Sequence, residues 1–305
     1  MTSGTNTVSN SDGQFALAVD GLGKQYRSRL RGNNWALRDC TFGLPSGRVV
    51  ALVGANGAGK TTLMSILAGL LAPTEGIVAL GGTQQEPNRI SFVAQDKPLY
   101  RHFSVRDMLK VGQRLNRVWD DERAKRWLRR FEIPLDRPCG RLSGGQQAHV
   151  AFAIAVGSRP AVLLLDEPLS NLDPLARRDV TQELMSEVAD TGMTVLLSTH
   201  VVAELGGVAD HLLLLSRGTL LIDSDSDDLL TEHLYYVGPR ADEPPCAGEI
   251  IKASHSKNQS SFLVRVSPAD EPASVAAPWT TRPVSLEDLV IAYLESDRAG
   301  ARVAA

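Results

Sequence analysis

Long apolar runs are missing from this chain. The longest stretch without Asp, Glu, Lys or Arg covers residues 142–158, and two Gln and one His interrupt it. A membrane-spanning helix needs about 20 predominantly apolar residues, so none is expected. Cysteine is scarce: Cys40, Cys139 and Cys246 stand far apart, forming neither a metal-ligand cluster nor an even disulfide framework, and they suit a reducing cytosol. A basic excess is missing too. Lys and Arg number 32 against 35 Asp and Glu, a net charge of −3, so no broad cationic surface is available to grip nucleic acid, and no nucleic-acid partner is expected. The opening residues "MTSGTNTVSNSDGQ" lack both a basic start and an apolar segment, which predicts no signal peptide and a disordered tail over residues 1–13.

What is present is an ordinary globular composition, 43% hydrophobic and 22% charged, in a chain long enough for one large domain and a smaller one. Short apolar runs between residues 15 and 45 ("FALAV", "CTFGL") predict strands of an antiparallel layer, leading to a core strand in "RVVALVG". Leu63, Met64, Ile66, Leu67 and Leu70 follow at helical spacing and predict a helix over residues 61–71. The runs "AVLLLDE", "TVLLSTH" and "HLLLLSRG" predict buried parallel strands of a layered α/β sheet. Between them, residues 104–131 put apolar side chains on one helical face and charge on the other, as in a helical insert. From about residue 223 the texture changes to an acidic, serine-containing linker, an expected hairpin in "EIIKASHSKNQSSFLVRV" and a terminal helix "SLEDLVIAYLES", which Ser285 and Asp288 open in the manner of a capping box.

The first motif that carries chemistry is "GANGAGKTT". It has the G-x-x-x-x-G-K-[ST] spacing, after an apolar strand and before a helix. Backbone amides can wrap a phosphate only where no side chain blocks the approach and positive φ is permitted, which is what Gly54, Gly57 and Gly59 allow. The helix start adds partial positive charge, Lys60 can neutralise β/γ-phosphate oxygens, and the Thr61 hydroxyl can enter a Mg²⁺ shell. A nucleoside triphosphate site is implied.

Two carboxylates end the run "AVLLLDEP", where strand ends of a parallel sheet line a ligand crevice. Asp166 is the expected Mg²⁺ holder, through water, and Glu167 the group that takes or orients the proton of an attacking water. His200, ending "TVLLSTH", reads on its own more often as a structural residue, and Gln95, in "ISFVAQDKP", often as a turn residue, while both could touch the γ-phosphate or the water.

With these residues in order, the chain resembles the nucleotide-binding subunit of an ATP-binding cassette (ABC) transporter. The resemblance covers roughly residues 15–223: Walker A at 54–61, the Q-loop residue Gln95, the signature "LSGGQ" at 142–146, Walker B at 162–166 followed by Glu167, the D-loop "LSNLD" ending at Asp173, and the switch histidine His200. It implies an ABC-type P-loop ATPase fold with a mostly parallel core sheet, an N-terminal antiparallel β layer and an α-helical insert at about 97–141. Together these make an ATPase domain of residues 14–222, followed by a small C-terminal α/β extension at 223–305. ATP would then be held by Gly54, Asn56, Gly57, Ala58, Gly59, Lys60, Thr61 and Thr62, with Tyr26 stacking on adenine and Trp35 its competitor. Thr61, Gln95 and Asp166 would hold Mg²⁺, and Glu167, His200 and Gln95 would serve hydrolysis. Ser143, Gly144, Gly145 and Gln146 would reach the γ-phosphate of a second subunit in a head-to-tail pair, and Asp173 would connect the two sites. Ala55, Asn171, Ala148 and His149 depart from the commonest pattern without removing a phosphate ligand or the catalytic carboxylate.

The family implies two partners: a second ATPase subunit, expected to be another copy of this chain, and a separate integral membrane permease that holds the protein against the inner face of the cell membrane. Residues 97–105 are the expected docking surface. The C-terminal "SLEDLVIAYLE" resembles that of ABC-2-type ATPases and favours export. A soluble ABC ATPase acting on ribosomes or DNA is the main alternative; a single phosphate loop, a single signature and the 83 positions between Lys60 and Ser143 weigh against it. A nucleotide-dependent regulatory module without turnover is the other, and Glu167 weighs against that.

Overall fold

A computed structural model describes residues 14–28, 32–82, 89–170, 172–202, 207–266 and 277–303; the tail expected over 1–13 lies outside them. Its main sheet has six strands in the order β5-β6-β7-β3-β8-β9: β5 (Ile90–Val93), β6 (Val162–Asp166), β7 (Thr194–Thr199), β3 (Val49–Val53), β8 (His211–Ser216) and β9 (Thr219–Asp225). The first five run parallel and β9 pairs antiparallel with β8. The side-chain period of two explains how the sheet is buried on both faces. Val49, Ala51 and Val53 join one core cluster while Val50 and Leu52 join another; Leu163 and Leu165 divide from Val162 and Leu164 in the same way.

On the second face lie α1 (Lys60–Leu67) and an antiparallel layer in the order β2-β1-β4, made of β2 (Gly32–Pro45), β1 (Phe15–Ser28) and β4 (Glu75–Leu80). The helix stops short of the expected residue 71. Gly69 takes φ +72 and breaks the helical hydrogen-bond ladder, leaving Leu70 exposed. The first face carries the helical insert and two long helices: α2 (Val105–Leu115), α3 (Asp121–Arg130), α4 (Gly144–Gly157) and α5 (Pro174–Thr191). Ser104 caps α2 and Asp120 caps α3, each accepting from an amide three residues on.

The segment expected to be an acidic linker is ordered structure, and the expected division after residue 222 falls inside β9. Asp225 ends that strand and caps α6 (Ser226–Glu232), its carboxylate accepting from the Asp227 amide at 3.0 Å. The acidic cluster is a helix start. Beyond it, β10 (His233–Pro239), β11 (Glu249–His255), β12 (Gln259–Arg265) and β13 (Thr280–Pro283) form a wholly antiparallel sheet in the order β11-β12-β10-β13. Helix α7 (Leu286–Val303) follows, with Ser285 accepting from the Asp288 amide at 3.1 Å. Ile251 and Leu263 of this sheet and Leu289 and Val290 of α7 belong to the same core cluster as β3, β6 and β7, so this unit is packed onto the main body. No helix among the described residues is long and apolar enough to cross a membrane.

Candidate functional site

Residues 54–59 leave the C-terminal end of β3 and turn into the start of α1. Gly57 takes φ +81 with open space where a Cβ would stand, and Gly59 takes φ +111, where a Cβ would lie 2.6 Å from the Ala36 carbonyl oxygen. The loop is thus open toward one side and packed tightly on the other, as a cradle for an external group requires. Lys60, only 6% exposed, folds back: Nζ donates to the Gly54 carbonyl at 2.7 Å and the Ala55 carbonyl at 3.4 Å, and lies 3.7 Å from Glu167 Oε1. Burial pushes its pKa below the usual lysine value, opposed by the charges of Glu167 and Asp166.

A cleft of about 650 Å³ opens over this loop. Asn56, Gly57, Gly59, Lys60, Thr61 and Thr62 form one wall, and Gln95, Ser170, Glu167 and His200 face them. The opposite wall comes from strand ends of the same sheet edge, the position where open parallel sheets bind ligands. Asp166 ends β6 in register with Ser198 of β7, whose hydroxyl donates to Asp166 Oδ1 at 2.6 Å and accepts from the Glu167 amide at 2.9 Å. Glu167 takes φ +44, a region side chains with a Cβ rarely adopt, and this turns its carboxylate into the cleft, where Oε2 lies 3.1 Å from His200 Nδ1.

The structure brings Asn56, Gly57, Gly59, Lys60, Thr61, Thr62, Gln95, Glu167 and His200 together around one cleft. Asp166 stands behind its wall, 1% exposed. Gly54 packs against the Leu215 carbonyl too closely for any side chain, and Ala58 is buried with its carbonyl accepting from the Gly218 amide at 2.9 Å. Tyr26 is 45% exposed on β1, with the Lys24 ammonium 5.6 Å from its ring centre. Its competitor Trp35 has the Arg38 guanidinium at 5.6 Å, and neither aromatic lines the cleft; Ala36 does.

The signature residues stand apart from that cleft. Ser143 caps α4 in a full capping box: its hydroxyl accepts from the Gln146 amide at 3.2 Å while Gln146 Oε1 accepts from the Ser143 amide at 3.1 Å. A Cβ on Gly145 would meet Leu172 at 2.9 Å, whereas Gly144 has open space. Asp173 caps α5, accepting from the Leu175 and Ala176 amides at 3.0 Å each. Asn171 lies outside the described residues.

The comparisons with known proteins agree with this geometry. Residues 37–170 match the ABC transporter family model. Over 219 residues the chain is 39% identical to the aliphatic sulfonates import ATP-binding protein SsuB of Escherichia coli, covering 69% of this chain and 81% of SsuB. The chain belongs to the ABC transporter family of ATP-binding proteins. Other relatives of this cassette include the molybdenum import ATP-binding protein ModC of Mycobacterium tuberculosis, 36% identical over 213 residues, or 63% of this chain. That match spans only 58% of ModC's own length. The lantibiotic transport ATP-binding protein SrtF of Streptococcus pyogenes is 30% identical, over 69% of the cassette chain and 91% of SrtF. Among solved structures, the ATP binding subunit of an ABC transporter superposes with TM-score 0.63 at 25% identity, covering 71% of this chain and 92% of that one. A dimeric ABC transporter cassette gives 0.61 at 24%, covering 68% and 98%, and supports the fold.

The donors present suit a triphosphate with Mg²⁺. The glycine loop is open at Gly57, Lys60 supplies charge, the Thr61 hydroxyl and Gln95 amide line the cleft, and Asp166 behind its wall would act through water on a hard cation that keeps several waters. Ser198 is the residue that sequence reasoning missed. The sequence shows only a hydroxyl near the end of an apolar run, two positions before His200; that it is fully buried and needs a polar partner emerges from the fold.

Proposed function

We propose that this cassette is an ATP-hydrolysing motor that closes with a second copy of itself around ATP and drives a separate membrane permease. The observation that carries this reading is the convergence of Lys60, Gln95, Glu167 and His200 on the cleft above the glycine loop. Lys60, now bound to its own loop's carbonyls, exchanges them for phosphate oxygens when the triphosphate enters. Thr61, Gln95 and Asp166 would hold Mg²⁺, which when bound neutralises charge on the β- and γ-phosphate oxygens. Glu167 takes the proton of the attacking water, and His200 orients that carboxylate across the 3.1 Å contact. Ser143, Gly144 and Gly145 contribute from the second copy, offering the amides and partial positive charge of the α4 start to the γ-phosphate. Because only the triphosphate bridges both faces, binding favours the closed pair and hydrolysis releases it.

The proposed docking surface, residues 97–105, borders a groove of about 520 Å³ between β5, α2 and α4, where Leu99, Tyr100, Met108 and Leu115 present apolar surface. Such a groove suits an amphipathic helix from the permease, and through that contact the protein is held at the membrane. The resemblance of the C-terminal extension favours export; the relatives include two named for import and one named for lantibiotic transport, and carry no weight on direction. Purified protein should release phosphate from ATP in Mg²⁺, and Glu167→Gln should still bind ATP while hydrolysis falls at least about 100-fold. Wild-type turnover in that variant would sink the reading.

A further inference from the structure

Helix α7 reaches the glycine loop through a single turn of chain. The β8–β9 turn, residues 215–218, lies directly behind the loop: the Gly218 amide donates to the Ala58 carbonyl at 2.9 Å, and the Gly218 carbonyl accepts from the Arg38 amide at 2.7 Å. Gly54 rests against the Leu215 carbonyl, and a Cβ on Gly59 would stand 3.4 Å from the Leu215 side chain. The turn is therefore a splint against which both ends of the glycine loop are shaped. A two-residue hairpin turn with φ positive at both positions favours Asn-Gly or Gly-Gly. Here Arg217 takes φ +48 and Gly218 φ +83, so the first position breaks the local rule.

The reason lies on the other side of the turn. Ser216 Oγ donates to Asp297 Oδ2 of α7 at 2.8 Å, Arg217 Nε donates to the same oxygen at 3.0 Å, and Arg217 Nη2 donates to the Asp297 carbonyl at 2.6 Å. The Arg217 guanidinium, and after it the Ser216 hydroxyl, holds the Asp297 carboxyl below the usual carboxylate range, so it stays an acceptor. Beside this clasp, a cavity of about 200 Å³ separates Leu294 and Arg298 of α7 from Asn56 and Gly57, so α7 does not press on the loop's tip directly. Its influence runs through the clasped turn.

We propose that Asp297 is a positioning residue for the glycine loop: by fixing the Ser216-Arg217-Gly218 turn, the C-terminal unit sets the loop's nucleotide-ready shape, and bound nucleotide in return steadies α7. The proposal rests on the nucleotide-binding reading above. Coupling between two sites is reciprocal, so any factor by which the clasp tightens nucleotide binding must reappear as tighter docking of α7 when nucleotide is bound.

The test uses the full chain, with Asp297→Ala and, as a milder change that keeps one oxygen acceptor, Asp297→Asn. Arg217→Gly removes the guanidinium while suiting the turn's backbone. Asp297→Ala and Arg217→Gly should each raise KM for ATP and Kd for ADP about five- to tenfold with kcat within about twofold, in the usual range of coupling between sites. The double variant should be no weaker than either single one. In wild type, saturating ADP should slow hydrogen exchange of residues 286–303, and the slowing should vanish in Arg217→Gly. Unchanged nucleotide affinity in all variants, with only a lower Tm, would show that the clasp merely holds α7 and would overturn the proposal. Failure of wild type itself to bind ATP or ADP would instead remove the nucleotide reading, and the proposal with it.

Discussion

Glu167 Oε2 stands 3.1 Å from His200 Nδ1, while Glu167 Oε1 stands 3.7 Å from the Lys60 ammonium, so one carboxylate is held from two sides at the floor of the cleft. The two contacts have different consequences. In the proposed mechanism Lys60 leaves for phosphate when ATP arrives, and His200 remains to aim the carboxylate. His200→Ala should therefore lower kcat by about 100-fold or more with KM for ATP within about threefold, as expected of a group acting on the proton-transfer step. Steady-state phosphate release measures both constants; a KM effect without a kcat effect would assign His200 to binding.

Ser198→Ala tests the hydroxyl that joins Asp166 Oδ1 to the Glu167 amide. The change leaves a buried carboxylate and a backbone amide short of a partner, at a cost of about 1–3 kcal/mol. Urea denaturation should show that loss. The Mg²⁺ concentration giving half-maximal hydrolysis should also rise, because Asp166 loses the bond that orients it.

These sites were legible to different degrees. The glycine loop, the parallel strands and the order of motifs could be read directly, because backbone φ requirements and a period of two leave marks within a few residues. Ser198 could not be placed, since its role depends on the register between β6 and β7, which lie far apart in sequence. The acidic segment at 223–228 reads as a linker in the sequence because the same Asp residues that suit solvent also cap a helix, and only the pairing of β9 with β8 decides between the two. The motifs around Ser143 and Asp173 point toward a partner, whereas their local work as helix caps is what the folded chain displays. Both roles fit, because a side chain that caps its helix leaves that helix's remaining amides free to face outward.

Arg123 of α3 and Glu187 of α5 form a buried ion pair, with side chains 6% and 4% exposed, and Arg126 adds a second contact at 3.3 Å. It ties the helical insert to the helix that Asp173 begins. Glu187→Ala strands a buried guanidinium and should cost about 3–5 kcal/mol, whereas the double change Arg123→Met/Glu187→Met should recover most of that loss. Equilibrium urea denaturation of the three proteins checks it; a double variant as unstable as the single one would contradict the assignment of the penalty to an unpaired charge.

His149 stacks on Phe131 at 4.0 Å, is buried, and its Nδ1 lacks a hydrogen-bond partner. Burial pushes its pKa from 6.5 down to about 4. The unfolded chain then binds the proton more readily than the folded one, so stability is unaffected above about pH 7.5. It falls as pH drops through 6.5 toward 4, with about 2 kcal/mol lost by pH 5. His149→Leu should remove that part of the slope, read as the difference in denaturation free energy between pH 7.5 and pH 5. An equal slope in the variant would assign the acid sensitivity to other groups.

The central claim is that each ATP site is completed by the α4 start of a second copy, and sedimentation velocity of Glu167→Gln tests it most directly. With ATP and Mg²⁺ the variant should sediment as a dimer, revert to monomer on ATP removal, and stay monomeric when Ser143→Arg is added, because the new side chain blocks the opposing glycine loop. A Glu167→Gln protein that remains monomeric at saturating ATP, or that still dimerises with Ser143→Arg present, would contradict the account.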